Sequence, residues 1–218
     1  MPDFAVIFDM DGVLVDSNKY ILDSFNQILK PHKIFINRDN FKTYMGITSR
    51  GMQDRWKRDY GLDFDKEFLA KETTRLQIQF LKKNAKTSKA LLNFLKELKN
   101  HNIPIGVGTS SPRYRAEKIL GFLKVKRFFS VIVDGDEIKK HKPDPEIFLK
   151  VAKALRIKSE KCVVIEDSAL GIEAAKRAHM KTIGYLTRFH TRTELKDADI
   201  TVNSFTKLSF KKVEKLIK

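Results

Sequence analysis

Six short apolar runs alternate with helix-spaced stretches along this chain, and that alternation limits its fold more than any other feature. The runs cover 5–8, 103–109, 129–133, 162–166, 181–186 and 199–202. Between the later runs, apolar residues recur every three or four positions over 89–101, 113–124, 145–156 and 168–179, and a last helix is predicted from 205. Strands that alternate with helices pair in parallel, and the connecting helices cover both faces of the sheet. The expected class is therefore α/β. The run Ala5 to Phe8 has no polar alternation, as expected of a strand buried on both faces.

Residues 17–81 break the alternation and read as helix throughout. Ser17 is placed to cap a helix with Tyr20, Ile21, Phe25, Ile28 and Leu29 on one face, and Pro31 stops it. Phe41 and Tyr44 lead into Gly46. Met52, Trp56 and Tyr60 follow at i, i+4 and i+8 before Gly61, and Phe68, Leu69, Leu76, Phe80 and Leu81 mark another helix. The expectation is a small all-α insertion over 17–81, with Trp56 in its core, inside a larger domain made of 1–16 and 82–218. The stretch LKKNAKTSKA forms the return hinge. No internal repeat is visible. The GVG at 106–108 does not extend to G-x-G-x-x-G, because position 111 is Ser, so no dinucleotide site is expected.

The chain of 218 residues suffices for a domain of about 150 residues plus a smaller one. No apolar run approaches the ~18 residues of a membrane span, and the N-terminus enters the first strand without a signal-like segment. One cysteine, Cys162, excludes an internal disulfide and reads as a small buried hydrophobe, so a reducing cytoplasm is the expected compartment. The net charge of +16 has three readings: a lysine-rich background, steering of a dianionic substrate, or polyanion binding. The basic residues are spread rather than clustered. Even FTKLSFKKVEKLIK has helical apolar spacing at Leu208, Val213, Leu216 and Ile217, so nucleic acid is not the expected partner.

The chemistry concentrates where apolar runs end. Asp9 and Asp11 stand at i and i+2 after the first run, with Gly12 allowing a sharp turn. Ligands of open parallel sheets bind beyond the carboxyl ends of the strands. Two acids there suit a nucleophile and a general acid and base. Taken alone, D-x-D-G is equally a strand followed by a polar turn. The segment DMDGVLVDS, however, resembles the first motif of the haloacid dehalogenase superfamily, and three further stations of that family follow. These are VGTSS with Thr109 and Ser110, HKPDP with Lys142, and VVIEDSALGIEAAKRA with Glu166 and Asp167, separated by 100, 33 and 24 residues. The resemblance covers essentially the whole chain.

The resemblance implies a Rossmann-like core with a helical cap. It also implies a Mg²⁺-dependent phosphomonoester hydrolase acting on a small phosphorylated metabolite, phosphoglycolate or a sugar phosphate, as a monomer or homodimer. Asp9 is the implied nucleophile, and Asp11 protonates the leaving alkoxide and then activates water. Asp9, the Asp11 backbone carbonyl, Glu166 and Asp167 are the implied metal site. The Thr109 hydroxyl, the Ser110 amide and Lys142 are the implied phosphate ligands. The acid at 11 points to a phosphate ester, since haloalkanoic dehalogenases lack it and phosphonate-cleaving members resemble D-x-A.

Singly, each station has a plainer reading. Thr109 is a strand-end turn residue, Lys142 one of many solvated lysines, and Glu166 and Asp167 are helix N-terminal acids favoured by the macrodipole. In the cap, Thr48 and Arg50 of GITSR are the implied substrate contacts, although an exposed helix arginine reads equally well. Two departures stand out. Ile21 occupies the position where β-phosphoglucomutase-like members carry a histidine, which favours hydrolysis over mutase chemistry. AHM at 178–180 replaces the usual AGM, and His179 is read as a left-handed helix end. His32, His101, His141 and His190 show no ligand spacing. A basic polyanion-binding protein without turnover is the alternative of another class.

Overall fold

The computed structural model describes residues 3–44, 49–189 and 191–218, without the side chains of residues 49 and 50. The chain divides into two compact units, residues 1–16 with 85–218, and residues 17–84.

The larger unit holds six strands, β1 (Ala5–Phe8), β2 (Ile105–Gly108), β3 (Val131–Val133), β4 (Cys162–Glu166), β5 (Lys181–Tyr185) and β6 (Ile200–Val202). All pair in parallel, in the order β3-β2-β1-β4-β5-β6. The α/β class expected from the alternation is what the chain forms, with the Rossmann-like parallel sheet that the resemblance implies. The order reverses between β1 and β4, which is where ligands of such sheets bind.

Alternation along β1 sends its side chains to opposite faces. Ala5 and Ile7 join Cys162 and Val164 of β4 in a core closed by Ile147, Phe148 and Val151 of α7 (Glu146–Leu155) and Ala174 and Ala175 of α8 (Ala169–Arg177). On the other face, Phe8 meets Phe94 of α5 (Lys89–Asn100) edge-on at 6.2 Å and Phe129 at 5.9 Å. Phe4 stacks on Phe210 of α9 (Phe210–Ile217) at 6.0 Å. α6 (Arg113–Phe122) follows β2.

Several boundaries differ from the sequence reading. Pro104 and Ile103 lie outside β2, and β3 starts only at Val131. The last helix begins at Phe210 rather than 205. Ser204 caps a short 3-10 turn over Phe205–Lys207, Leu208 is extended, and the Ser209 side chain then accepts from the Lys212 amide to start α9. His179 has φ 59° just past α8, in the left-handed region. Cys162 is fully buried, and burial pushes its thiol up to about 12.

The unit of residues 17–84 holds four helices among the described residues, α1 (Asn18–Leu29), α2 (Arg38–Lys42), α3 (Ser49–Tyr60) and α4 (Lys66–Asn84). Phe25 of α1 meets Phe41, Tyr44 and Trp56 edge-on at 6.0, 6.0 and 5.5 Å, and Trp56 is fully buried. Ser17 stands at the N-cap position of α1 with helical φ and ψ and makes no capping hydrogen bond, contrary to the expected cap. A side chain caps best from extended backbone, as Asn37 does for α2. α4 continues to Asn84, past the last apolar residue of its pattern. No helix among the described residues is long and apolar enough to cross a membrane.

Candidate active site

The parallel register places the sequence-predicted residues side by side. Phe8 pairs with Ile165 and Val107, so the next residues bring Asp9, one step beyond β1, beside Glu166, the last residue of β4. The Asp9 amide donates to the Ile165 carbonyl at 2.9 Å, and the Thr109 amide to that of Val133 at 3.0 Å. Lys142 comes from the connection between β3 and α7, with its ammonium 4.9 Å from the centre of the Phe148 ring. It donates to Asp9 Oδ1 at 2.5 Å and Glu166 Oε2 at 2.7 Å.

Glu166 is held from its other oxygen as well. Oε1 accepts from the Asp167 amide at 3.0 Å, the Ser168 amide at 3.0 Å and the Ser168 hydroxyl at 2.8 Å. Ser168 then caps α8 through the Gly171 amide. Gly171 has no room for more, since a Cβ there would lie 2.0 Å from Cδ of Glu166. After β1 the chain folds back, with the Gly12 amide donating to the Val15 carbonyl at 2.8 Å. Gly12 takes φ +82°, and a Cβ on it would lie 1.7 Å from Asp167 Oδ2.

Asp9, Glu166 and Asp167 are all buried, with carboxylate oxygens within 4.8 Å of one another. Burial first, and then Glu166, push the Asp9 carboxyl up to about 8, against the pull of Lys142. Burial alone would lower the Lys142 ammonium, but Asp9 and Glu166 outweigh it and hold it protonated above its ordinary range. Three buried carboxylates thus face one ammonium. An all-oxygen donor set of three buried carboxylates fits a hard divalent cation.

Asp11 lies outside that group and is held differently. Arg115 of α6 grips it with both guanidinium ends, Nη1 to Oδ2 at 2.5 Å and Nη2 to Oδ1 at 2.7 Å. The Ser111 hydroxyl donates to the same Oδ2 at 2.8 Å and accepts from Arg115 Nη1. The sequence reading gave neither residue a role in the site. RYRAEK reads as a solvated helix start, and only the buried position of Arg115, 3% exposed, marks it out.

The remaining expected residues are distributed as follows. Thr109 is buried, and its hydroxyl accepts from the Ser111 amide at 3.1 Å, while Ser110 is exposed. Thr48 lies outside the described residues, as does His190, and Arg50 belongs to α3 with its side chain undescribed. His32 packs edge-on against Phe64 and His101 stacks on Phe210. No histidine joins the acidic cluster among the described residues.

Known proteins agree with this arrangement. The family model described as haloacid dehalogenase-like hydrolase matches residues 6–185. A phosphorylated carbohydrates phosphatase of Thermotoga maritima is 33% identical over 183 residues, covering 82% of this chain and 83% of that protein. A beta-phosphoglucomutase of Bacillus subtilis is 35% identical over 194 residues, covering 83% and 82%. The crystal structure of a beta-phosphoglucomutase from Clostridium difficile superposes with a TM-score of 0.86 at 26% identity, covering 100% of this chain and 97% of that one. With a family match over most of its length and acids at the ends of β1 and β4, the chain belongs to the haloacid dehalogenase-like hydrolases.

Proposed function

We propose that this protein is a Mg²⁺-dependent phosphomonoesterase that hydrolyses a small phosphorylated metabolite through an aspartyl-phosphate on Asp9. The observation that carries the reading is the placement of Lys142 between Asp9 and Glu166, at the edge of a buried acidic trio. A sugar phosphate is the favoured substrate class, because the Thermotoga relative is named for phosphorylated carbohydrates.

Asp9 attacks phosphorus, the bond to the ester oxygen breaks, and Asp11 gives that oxygen its proton. Water then attacks the aspartyl-phosphate, Asp11 takes the water's proton, and phosphate leaves with the Asp9 carboxylate restored. Lys142, the Thr109 hydroxyl and the Ser110 amide receive the phosphoryl oxygens, and Lys142 also pulls the Asp9 carboxyl towards ionisation, against burial and Glu166. Asp167, Asp9, the Asp11 carbonyl and Glu166 would hold the cation, with Glu166 steadied by three hydrogen bonds to Oε1. When bound, Mg²⁺ supplies charge neutralisation between the nucleophile and a phosphate dianion. Residues 17–81 act as the cap, with Thr48 and Arg50 as its substrate contacts, and the enzyme works in the cytoplasm as a monomer or homodimer.

A mutase passing the phosphoryl group back to a sugar hydroxyl is the second reading, favoured by the Bacillus relative and opposed by Ile21. Phosphate release from a panel of phosphomonoesters, with and without Mg²⁺, for the wild type and Asp9→Asn, tests the proposal. Metal-dependent release that falls by roughly 10³-fold or more in the variant is expected. Isomerisation of a sugar 1-phosphate without phosphate release would establish the mutase instead.

A further inference from the structure

We propose that Arg115 is a positioning residue for catalysis: with Ser111 it fixes the plane and direction of the Asp11 carboxylate, so that Asp11 can deliver and collect the proton of each half-reaction. The inference rests on the phosphatase reading above and adds to it a residue 104 positions from Asp11 in sequence.

Three observations carry it. The first is geometric. A guanidinium fork engages both Asp11 oxygens, and the Ser111 hydroxyl braces the same pair from the side. Two parallel N–H···O bonds define a plane, which a point charge does not. The second is the setting of Arg115. Its side chain is 4% exposed against 23% for that of Asp11, and its Nε is buried with no hydrogen-bond partner among the described residues. The group is therefore aimed at Asp11 at the expense of its own satisfaction.

The third observation is local cost. Arg115 sits in the first turn of α6, which contains no acidic residue, and a cation there opposes the helix dipole. Arg113 in the same turn finds ordinary partners in Asp134 and Glu137 and stays 46% exposed. Arg115 turns inward instead. Departures from local rules are expected at functional or strained sites.

The role separates from general support of the fold in kinetics. The side-chain hydrogen bonds of Arg115 go to the Asp11 carboxylate and to the Ser111 hydroxyl that braces it, so the proposed role runs through Asp11. Misdirecting a catalytic group by about 1 Å costs on the order of 10²-fold in rate. With a sugar phosphate such as fructose 1-phosphate and Mg²⁺ as the probe, whose alkoxide needs the proton, Arg115→Met should lower kcat by roughly 10- to 100-fold with KM within about threefold. Arg115→Lys keeps the charge without the fork and should stay impaired, though less so. The Asp11→Asn/Arg115→Met double variant should be no slower than Asp11→Asn alone, since a residue acting through Asp11 has nothing left to orient. A crystal structure of Arg115→Met should show the Asp11 carboxylate rotated.

Losses that multiply in the double variant, full activity in Arg115→Met, or an unmoved Asp11 would overturn the role while the wild type still turns over. A folded wild type inert towards every ester would overturn the phosphatase reading itself and this role with it. Thermal melts of each variant separate loss of fold from loss of rate.

Discussion

Asp9 and Asp11 are two residues apart in the chain and are held by opposite means. Asp9 is buried in an acid-rich group, where the compact Lys142 ammonium bridges it to Glu166 and burial drives its carboxyl upward. Asp11 is partly open and gripped by a planar fork from a buried arginine. A single ammonium supplies charge without fixing orientation, whereas a fork supplies both. The contrast matches the demands of the proposed chemistry. The nucleophile needs its negative charge offset, first by Lys142 and then by a dication, while the proton carrier needs a fixed direction.

The strongest way to break this contrast is Lys142→Met. The variant leaves Asp9 and Glu166 buried without their ammonium, and removing one partner of a buried pair costs about 3–5 kcal/mol. The expected result is a lowered melting temperature together with a loss in kcat of roughly 10²-fold. Mg²⁺ should then stabilise the variant by a larger increment than the wild type, since the three carboxylates have lost the Lys142 ammonium that otherwise shares their charge. Lys142→Arg should not restore turnover, because the planar group does not replace a point charge shared by two acids. A variant with wild-type turnover would remove the charge-offsetting role from Lys142.

Gly171→Ala tests the Glu166 side of the group. Its Cβ would enter the space of the Glu166 carboxylate while the Arg115 fork on Asp11 stays in place. Displacing such a supporting acid should raise the Mg²⁺ concentration for half-maximal rate by about 10- to 100-fold, with kcat at saturating Mg²⁺ within a few-fold of the wild type. Equal losses at every Mg²⁺ concentration would show that Glu166 serves the nucleophile more than the cation.

The Asp9 side of this comparison was legible in the sequence, and the Asp11 side only by half. Asp9, Thr109 and Glu166 each close or follow an apolar run, and a parallel sheet must bring the carboxyl ends of its strands to one edge. Lys142 was reached through its motif, because nothing in its flanks distinguishes it from other lysines. Arg115 left no trace. Its burial depends on a carboxylate more than a hundred residues away, and local pattern carries no long-range partner. The same limit explains the misread start of the last helix, where two serine caps in succession outweigh the apolar spacing of Leu208 and Val213. The five-residue α2 is likewise too short to show a period, and it depends on the Asn37 cap.

The smallest expected effect, Ser111→Ala, sharpens the contrast most finely. Ser111 donates to Asp11 Oδ2 and accepts from Arg115, so its loss removes one brace and leaves both arms of the fork. A net hydrogen bond is worth about 0.5–1.5 kcal/mol, which corresponds to a fall in kcat of roughly two- to tenfold. The loss should largely vanish in an Asp11→Asn background and should leave Mg²⁺ dependence unchanged, since Ser111 reaches the reaction only through the carboxylate it steadies. A shift in the Mg²⁺ requirement instead would join the two acids into one coupled group and erase the division of labour between them.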